Sequence, residues 1–219
     1  MKTEKYISQL ENVIKQMLTP LKDIPFNVVI ESLTGKKVLP FNGKSDTDND
    51  LLSILKKVAI TAGIEINKHG IKSKRPNEVG NYVEPFVKEA LNKYHLKADT
   101  PCGKSGRKKS MGYPDILFFY DNKPHYLECK TYNLDNVSTT QRSFYFSPSE
   151  DFKVIYDAHH FVISFEMYLS GRNIYKCRHY KILSLDSLLL DVKYEFNSDN
   201  QRVYSGTSGT LILADGDIK

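Results

Sequence analysis

Apolar residues recur every three to four positions over the first twenty, where Tyr6, Leu10, Val13, Met17 and Leu18 share one side and Pro20 supplies a stop. This spacing predicts an amphipathic helix. Residues 26–33 (FNVVIESL) are rich in β-branched side chains and predict a strand, which the Thr34-Gly35-Lys36-Lys37 turn closes. Residues 44–49 are polar and lead into a second helix, whose stripe of Leu51, Leu52, Leu55, Val58 and Ala59 runs up to Gly63. Residues 67–77, with Lys72, Lys74 and Arg75, read as a basic loop. Val79, Val83, Phe86, Val87, Ala90 and Leu91 define a further helix from Asn77, a candidate cap. Pro85 lacks an N–H and restricts Glu84, so this helix starts effectively at Glu84, with Pro85 in its first turn.

The polar period then changes from helical to alternating. Residues 116–120 and 125–127 are short β-type runs around Asp121, Asn122, Lys123 and Pro124, a hairpin signal. Pro124 has no donor to close a two-residue turn, so a four-residue loop pairing Tyr120 with His125 is expected. Ile116, Phe118, Tyr120, His125, Leu127 and Cys129 then share a core face, and Asp115, Leu117, Phe119, Tyr126, Glu128 and Lys130 share the other. In that register Asp115 lies opposite Lys130 and diagonal to Glu128. Residues 100–111 predict an exposed, mobile loop, and residues 151–156 a short helix. Residues 160–169 and 174–183 predict a second hairpin, whereas the apolar residues 185–192 fit no single element, and no internal repeat is present. The order implies an α/β fold: a central mixed β-sheet flanked by helices, with an N-terminal helical segment. Residues 1–70 would pack as that segment on a core of residues 71–219, the whole making one compact domain.

Composition narrows the function classes. The chain has 219 residues, 40% hydrophobic and 11% aromatic, which suits one globular domain, and no apolar run approaches the ~20 residues of a membrane span. Glu4, Lys5, Glu11 and Lys15 argue against a secretory leader, so a cytoplasmic location is expected. Cys102, Cys129 and Cys177 lack disulfide or zinc spacing. The net charge of +5 permits an anionic partner, and Lys104, Arg107, Lys108 and Lys109 crowd the loop before the hairpin.

Two carboxylates and an ammonium on one face suit a hard divalent cation and a water beside it. Pro114-Asp115, twelve intervening residues (116–127), and Glu128-Cys129-Lys130 resemble the signature of the PD-(D/E)XK nuclease superfamily. The resemblance implies a restriction-endonuclease-like fold and a Mg2+-dependent phosphodiesterase with one or two ions per site. Asp115, Glu128 and the Cys129 carbonyl would hold the metal, and Lys130 would assist the attacking water. The segment GNYVEPFVKEAL resembles the helix that brings a further acid in this superfamily, with Glu84 in the matching place and Glu78 as the reserve. Size, the lack of ATPase or helicase motifs and the adjacent basic loop are most like a type II restriction endonuclease, which implies a homodimer on double-stranded DNA. Gln141 and Tyr145 form a QxxxY spacing similar to that of the RecB and Cas4-like branch, although the cysteines of an iron–sulfur cluster are missing.

On this reading Lys104, Arg107, Lys108 and Lys109, with Gln141 and Arg142, are candidate DNA contacts, since Lys and Arg neutralise phosphates. Lys72, Lys74 and Arg75 are a weaker second patch. His159 and His160 open the strand HFVISF and read as structural, and the Cys129 thiol faces the core. A bland alternative makes Asp115, Glu128 and Lys130 an exposed salt bridge of little consequence. Two rival functions remain at this point, a structure-specific repair or recombination nuclease and a non-catalytic DNA-binding module on the same fold.

Overall fold

The structure, a computed structural model, describes residues 2–19, 21–136, 138, 144–194, 198, 200, 202, 212–214 and 216. The chain divides into two compact units, residues 1–23 with 191–219, and residues 24–190. In the smaller unit, helix α1 (Lys2–Met17) forms as its apolar spacing predicts. Strands β1 (Leu21–Pro25) and β7 (Leu189–Val192) run across the unit boundaries, and the Asp23 N–H donates to Asp191 Oδ1 at 3.2 Å.

The larger unit is built on a five-stranded mixed sheet. Its members are β2 (Ile71–Lys72), β3 (Ile116–Tyr120), β4 (Lys123–Tyr132), β5 (His159–Gly171) and β6 (Ile174–Ser184), in the order β2-β6-β5-β4-β3. Only β4 and β5 run parallel; the other neighbours are antiparallel. Helices α3 (Asp46–His69) and α4 (Glu84–Lys93) cover one face, where Leu55, Val58, Ile66, Val87 and Leu91 pack with Ile116, Phe118, Leu127, Cys129 and Phe165. The other face carries Tyr126 and Val162, which are covered by Phe26 and Ile30 of α2 (Phe26–Thr34) and by Val154 and Ala158 of the β4–β5 connection. This is the expected mixed sheet between helices.

The hairpin register differs from the expected one in an instructive way. Tyr120 pairs with Lys123, not His125, around a two-residue turn in which Asp121 (φ 50°) and Asn122 (φ 58°) are both left-handed. Asx residues tolerate that region, and the closing donor is Lys123, so the missing N–H of Pro124 costs the turn nothing. The shift is by two residues, and a period of two leaves every side chain on its expected face.

Three other expectations are corrected. Residues 26–33 are helix α2, not a strand: Phe26 and Ile30 are buried four apart while Val28 is 50% exposed, so burial follows a helical period. Helix α3, capped by Ser45 accepting from the Asp48 N–H, continues through Gly63 to His69. A Cβ at Gly63 would lie 3.4 Å from Cys177 Sγ, so the glycine lets the helix approach the sheet. Residues 151–156 form no helix, because the Ile155 and Tyr156 N–H groups donate instead to the buried Tyr126 hydroxyl at 2.8 and 3.2 Å. The loop over 100–111 is largely exposed, but Asp151 ties it by accepting from the Ser105 N–H and hydroxyl.

Candidate active site

The hairpin brings Asp115, Glu128 and Lys130 together at its open end. Because Ile116 pairs with Leu127, Asp115 lies level with Glu128 and not with Lys130 as first expected. The Cys129 N–H donates to Asp115 Oδ2 at 2.8 Å, and Lys130 Nζ lies 2.6 Å from Glu128 Oε1. Glu128 is 4% exposed, and its second oxygen, Oε2, is buried with no hydrogen-bond partner among the described residues. This is not the exposed salt bridge of the bland alternative. The Cys129 side chain faces the α3/α4 core, where burial pushes its thiol well above the ordinary range, so it is inert.

Burial and like charge shape the electrostatics. Burial, and then the Asp115 charge, push Glu128 up to about 7 against the pull of Lys130. Asp115 is also raised by burial, opposed by the Cys129 N–H, Lys130 and Lys153. Glu84 opens α4 with Pro85 beside it, and burial followed by Asp115 raises its carboxyl against Lys88, 3.6 Å away. Glu84 therefore feels the Asp115 charge. Glu78 instead pairs with Arg75 at 3.7 Å in the 3-10 helix Pro76–Tyr82.

Lys153 escaped the sequence reading. It is 3% exposed, and its ammonium donates to the carbonyls of Gly112 (2.5 Å) and Pro114 (2.7 Å), the residues flanking Tyr113 just before Asp115. Burial lowers its pKa while Asp115, Glu128 and Glu84 raise it, so this cation offsets three carboxylates at once. Lys153→Met would leave two carbonyls and the acid group without it, and is expected to destabilise the fold by about 2–3 kcal/mol, measurable as a fall in denaturant midpoint. An unchanged midpoint would contradict this account.

Aromatic packing frames the site. Lys130 Nζ lies 5.9 Å from the Phe144 ring centroid, and Tyr113 contacts Phe26, Phe144 and Phe146 edge-on or tilted. The Tyr113 hydroxyl and His160 Nδ1 are 2.6 Å apart, and burial holds His160 down at about 3, so it is a neutral packing group as expected. Among the candidate DNA contacts, Lys108 pairs with Asp99 at 2.5 Å, and Lys109 Nζ donates to the Asp151 carbonyl at 2.7 Å. Lys104 lies over the Phe152 ring, and Arg107 is exposed. Gln141 and Arg142 lie outside the described residues.

The unpartnered Glu128 Oε2, next to a second carboxylate of raised pKa, fits a cation with a preference for oxygen. Asp115 and Glu128 could hold it with the Cys129 carbonyl. Among the described residues no group of three or more His, Cys, Asp or Glu side chains is arranged to hold a metal, so water oxygens would complete the shell. None of the described helices is long and apolar enough to cross a membrane.

The model of the type II restriction enzyme MjaV family matches residues 20–207, a span that contains α4, the hairpin and Lys153. The chain is also 36% identical, over an alignment of 236 residues covering all of both proteins, to the type II restriction enzyme MjaV of Methanocaldococcus jannaschii. With the paired carboxylates and their lysine inside a likeness that runs from end to end, the chain belongs to the type II restriction enzyme MjaV family.

Proposed function

We propose that this chain is a Mg2+-dependent endonuclease that cuts double-stranded DNA at a specific sequence, as a cytoplasmic homodimer. The observation that carries the chemistry is the Asp115–Glu128 pair, with a buried oxygen that lacks a partner among the described residues beside the Lys130 ammonium. Bound Mg2+, one or two ions per site, would supply an acidified water and neutralise charge on the phosphate. Asp115 and Glu128 would hold it, and Glu84, near enough to feel the Asp115 charge, adds a further acid. Lys130 would orient the attacking water and stabilise negative charge on the phosphoryl oxygens. Water adds in line at phosphorus and the P–O3′ bond breaks. The 3′ oxygen takes a proton, leaving a 3′-hydroxyl and a 5′-phosphate. Two copies related by a two-fold axis would match a palindromic site and cut both strands.

Incubation of phage DNA with Mg2+, with an EDTA control and sequencing of the fragment ends, tests this reading. Discrete fragments carrying 5′-phosphates and one common end sequence are expected in Mg2+ alone. Intact DNA, or random ends, would refute it.

A further inference from the structure

The face that carries Glu128 and Lys130 is covered by α2 and the β4–β5 connection at the level of Tyr126. Farther along the strands it turns basic. Lys130 on β4 is in register with Ser164 on β5 and Lys181 on β6, and the next row is Tyr132, Glu166 and His179. Tyr168 with Lys176 lies beyond. Lys181 thus stands beside the hydrolytic lysine at about 10 Å, two strand spacings away. Lys181, His179 and Arg178 are exposed.

Aromatic rings prop two of these cations on this face. Lys181 Nζ is 5.0 Å from the Tyr132 ring centroid, and the Arg178 guanidinium is 5.8 Å from that of Tyr168. Arg178 is neutralised by the buried Glu166, with which it forms a short ion pair. Lys181 and Lys176 are in no ion pair among the described residues, so they carry the net charge of the row. The opposite face is closed, because Cys177 and Phe165 pack against Gly63 of α3. The hydrophobic contacts of β6 with α3 thus lie on the other side from this polar row.

We infer that Lys181 and Lys176, with Arg178 between them, form a second contact surface for the sugar–phosphate backbone of the DNA whose scissile phosphate sits at Lys130. The inference rests on the reading of the hairpin as the hydrolytic site. Its support is charge complementarity and direct continuity with that site across the sheet. Such contacts fix the duplex in position without reading bases. Of the candidates in the loop before the hairpin, Lys108 and Lys109 are engaged by Asp99 and Asp151, whereas Lys181 and Lys176 have no acidic partner among the described residues.

Binding of a fluorescein-labelled mixed-sequence duplex in EDTA, followed by anisotropy between ~50 and ~200 mM NaCl, reads the number of phosphate contacts. Lys181→Gln and Lys176→Gln are each expected to flatten the slope of log K against log salt by about 0.9, and together by about 1.8. Each should weaken binding roughly tenfold near 0.1 M salt. Lys57→Gln, an exposed lysine of α3 on the closed side, removes the same charge and should leave the slope unchanged. In Mg2+, KM for DNA should rise in the double variant while kcat holds. A double variant with the slope of the wild type, or of Lys57→Gln, overturns the inference. Altered slopes with a wild type that never cleaves would sink the hydrolytic reading and leave the contact surface standing.

Discussion

Asp115→Asn is expected to abolish cleavage while leaving the fold at least as stable as the wild type. The asparagine oxygen still accepts from the Cys129 N–H, so the local geometry survives. The charge does not, and it is one of the causes that hold Glu128 up at about 7. Removing it relieves repulsion between two buried carboxylates and takes away half of the acid pair proposed to hold the cation. Rate loss of ~10³-fold or more in Mg2+ should accompany an unchanged or higher thermal midpoint. Lys130→Ala should lose ~10²–10³-fold, since it removes one preorganised donor and not a ligand. Plasmid relaxation and thermal unfolding of the same preparations check both. Asp115→Asn with wild-type cleavage would remove the hairpin from the mechanism altogether.

Acid should unfold the protein at a pH set by its buried histidines. Burial holds His125 down at about 4 and His160 at about 3, against 6.5 for the exposed ring. Both stay neutral in the folded chain while the unfolded chain takes up protons. Their contribution is therefore complete above pH 6.5 and is lost as pH falls towards 4. For His125 alone the difference corresponds to roughly 3 kcal/mol as an upper bound. Glu128 works in the opposite sense: its folded pKa is raised from 4.5 to about 7, so it favours the folded state at low pH and costs stability as pH rises through that window. Asp115 and Glu84, also raised by burial, act in the same sense as Glu128, so the denaturant midpoint should fall between pH 6.5 and 4 less steeply than the two histidines alone would make it. His125→Phe, stacked between Phe118 and His159, should flatten that fall, and Glu128→Gln should steepen it. A midpoint independent of pH across this range would contradict the assignment.

Side-chain facing was legible in the hairpin because it depends on parity alone. The expected pairing of Tyr120 with His125 was displaced by two residues, yet Asp115, Glu128 and Lys130 still emerged on one side and Cys129 on the other. What failed was turn chemistry: Lys123, not Pro124, closes a two-residue turn. The helix start at Glu84 was readable because Pro85 restricts the backbone locally. Residues 26–33 were not, because the β-branched preference of Val28, Val29 and Ile30 gave way to the burial of Phe26 and Ile30 one turn apart. Lys153 left no trace in residue type. Its partners are backbone carbonyls about 40 positions upstream, and any residue offers a carbonyl. The Lys181 row acquires meaning only from the β4–β5 register, which is a tertiary fact.

The parallel pairing of β4 with β5 carries a consequence for the birth of the molecule. Antiparallel neighbours can zip from a turn, but a parallel pair waits for its crossover, here residues 133–158, to close. That crossover brings Lys153 to the acid group and Phe144 to Lys130. On a ribosome, the hairpin emerges with Lys130 alone to offset its carboxylates, and the second cation, Lys153, arrives later with the returning chain. A cutting enzyme assembled in this order gains its finished site once the returning chain has delivered Lys153 to the carbonyls of Gly112 and Pro114.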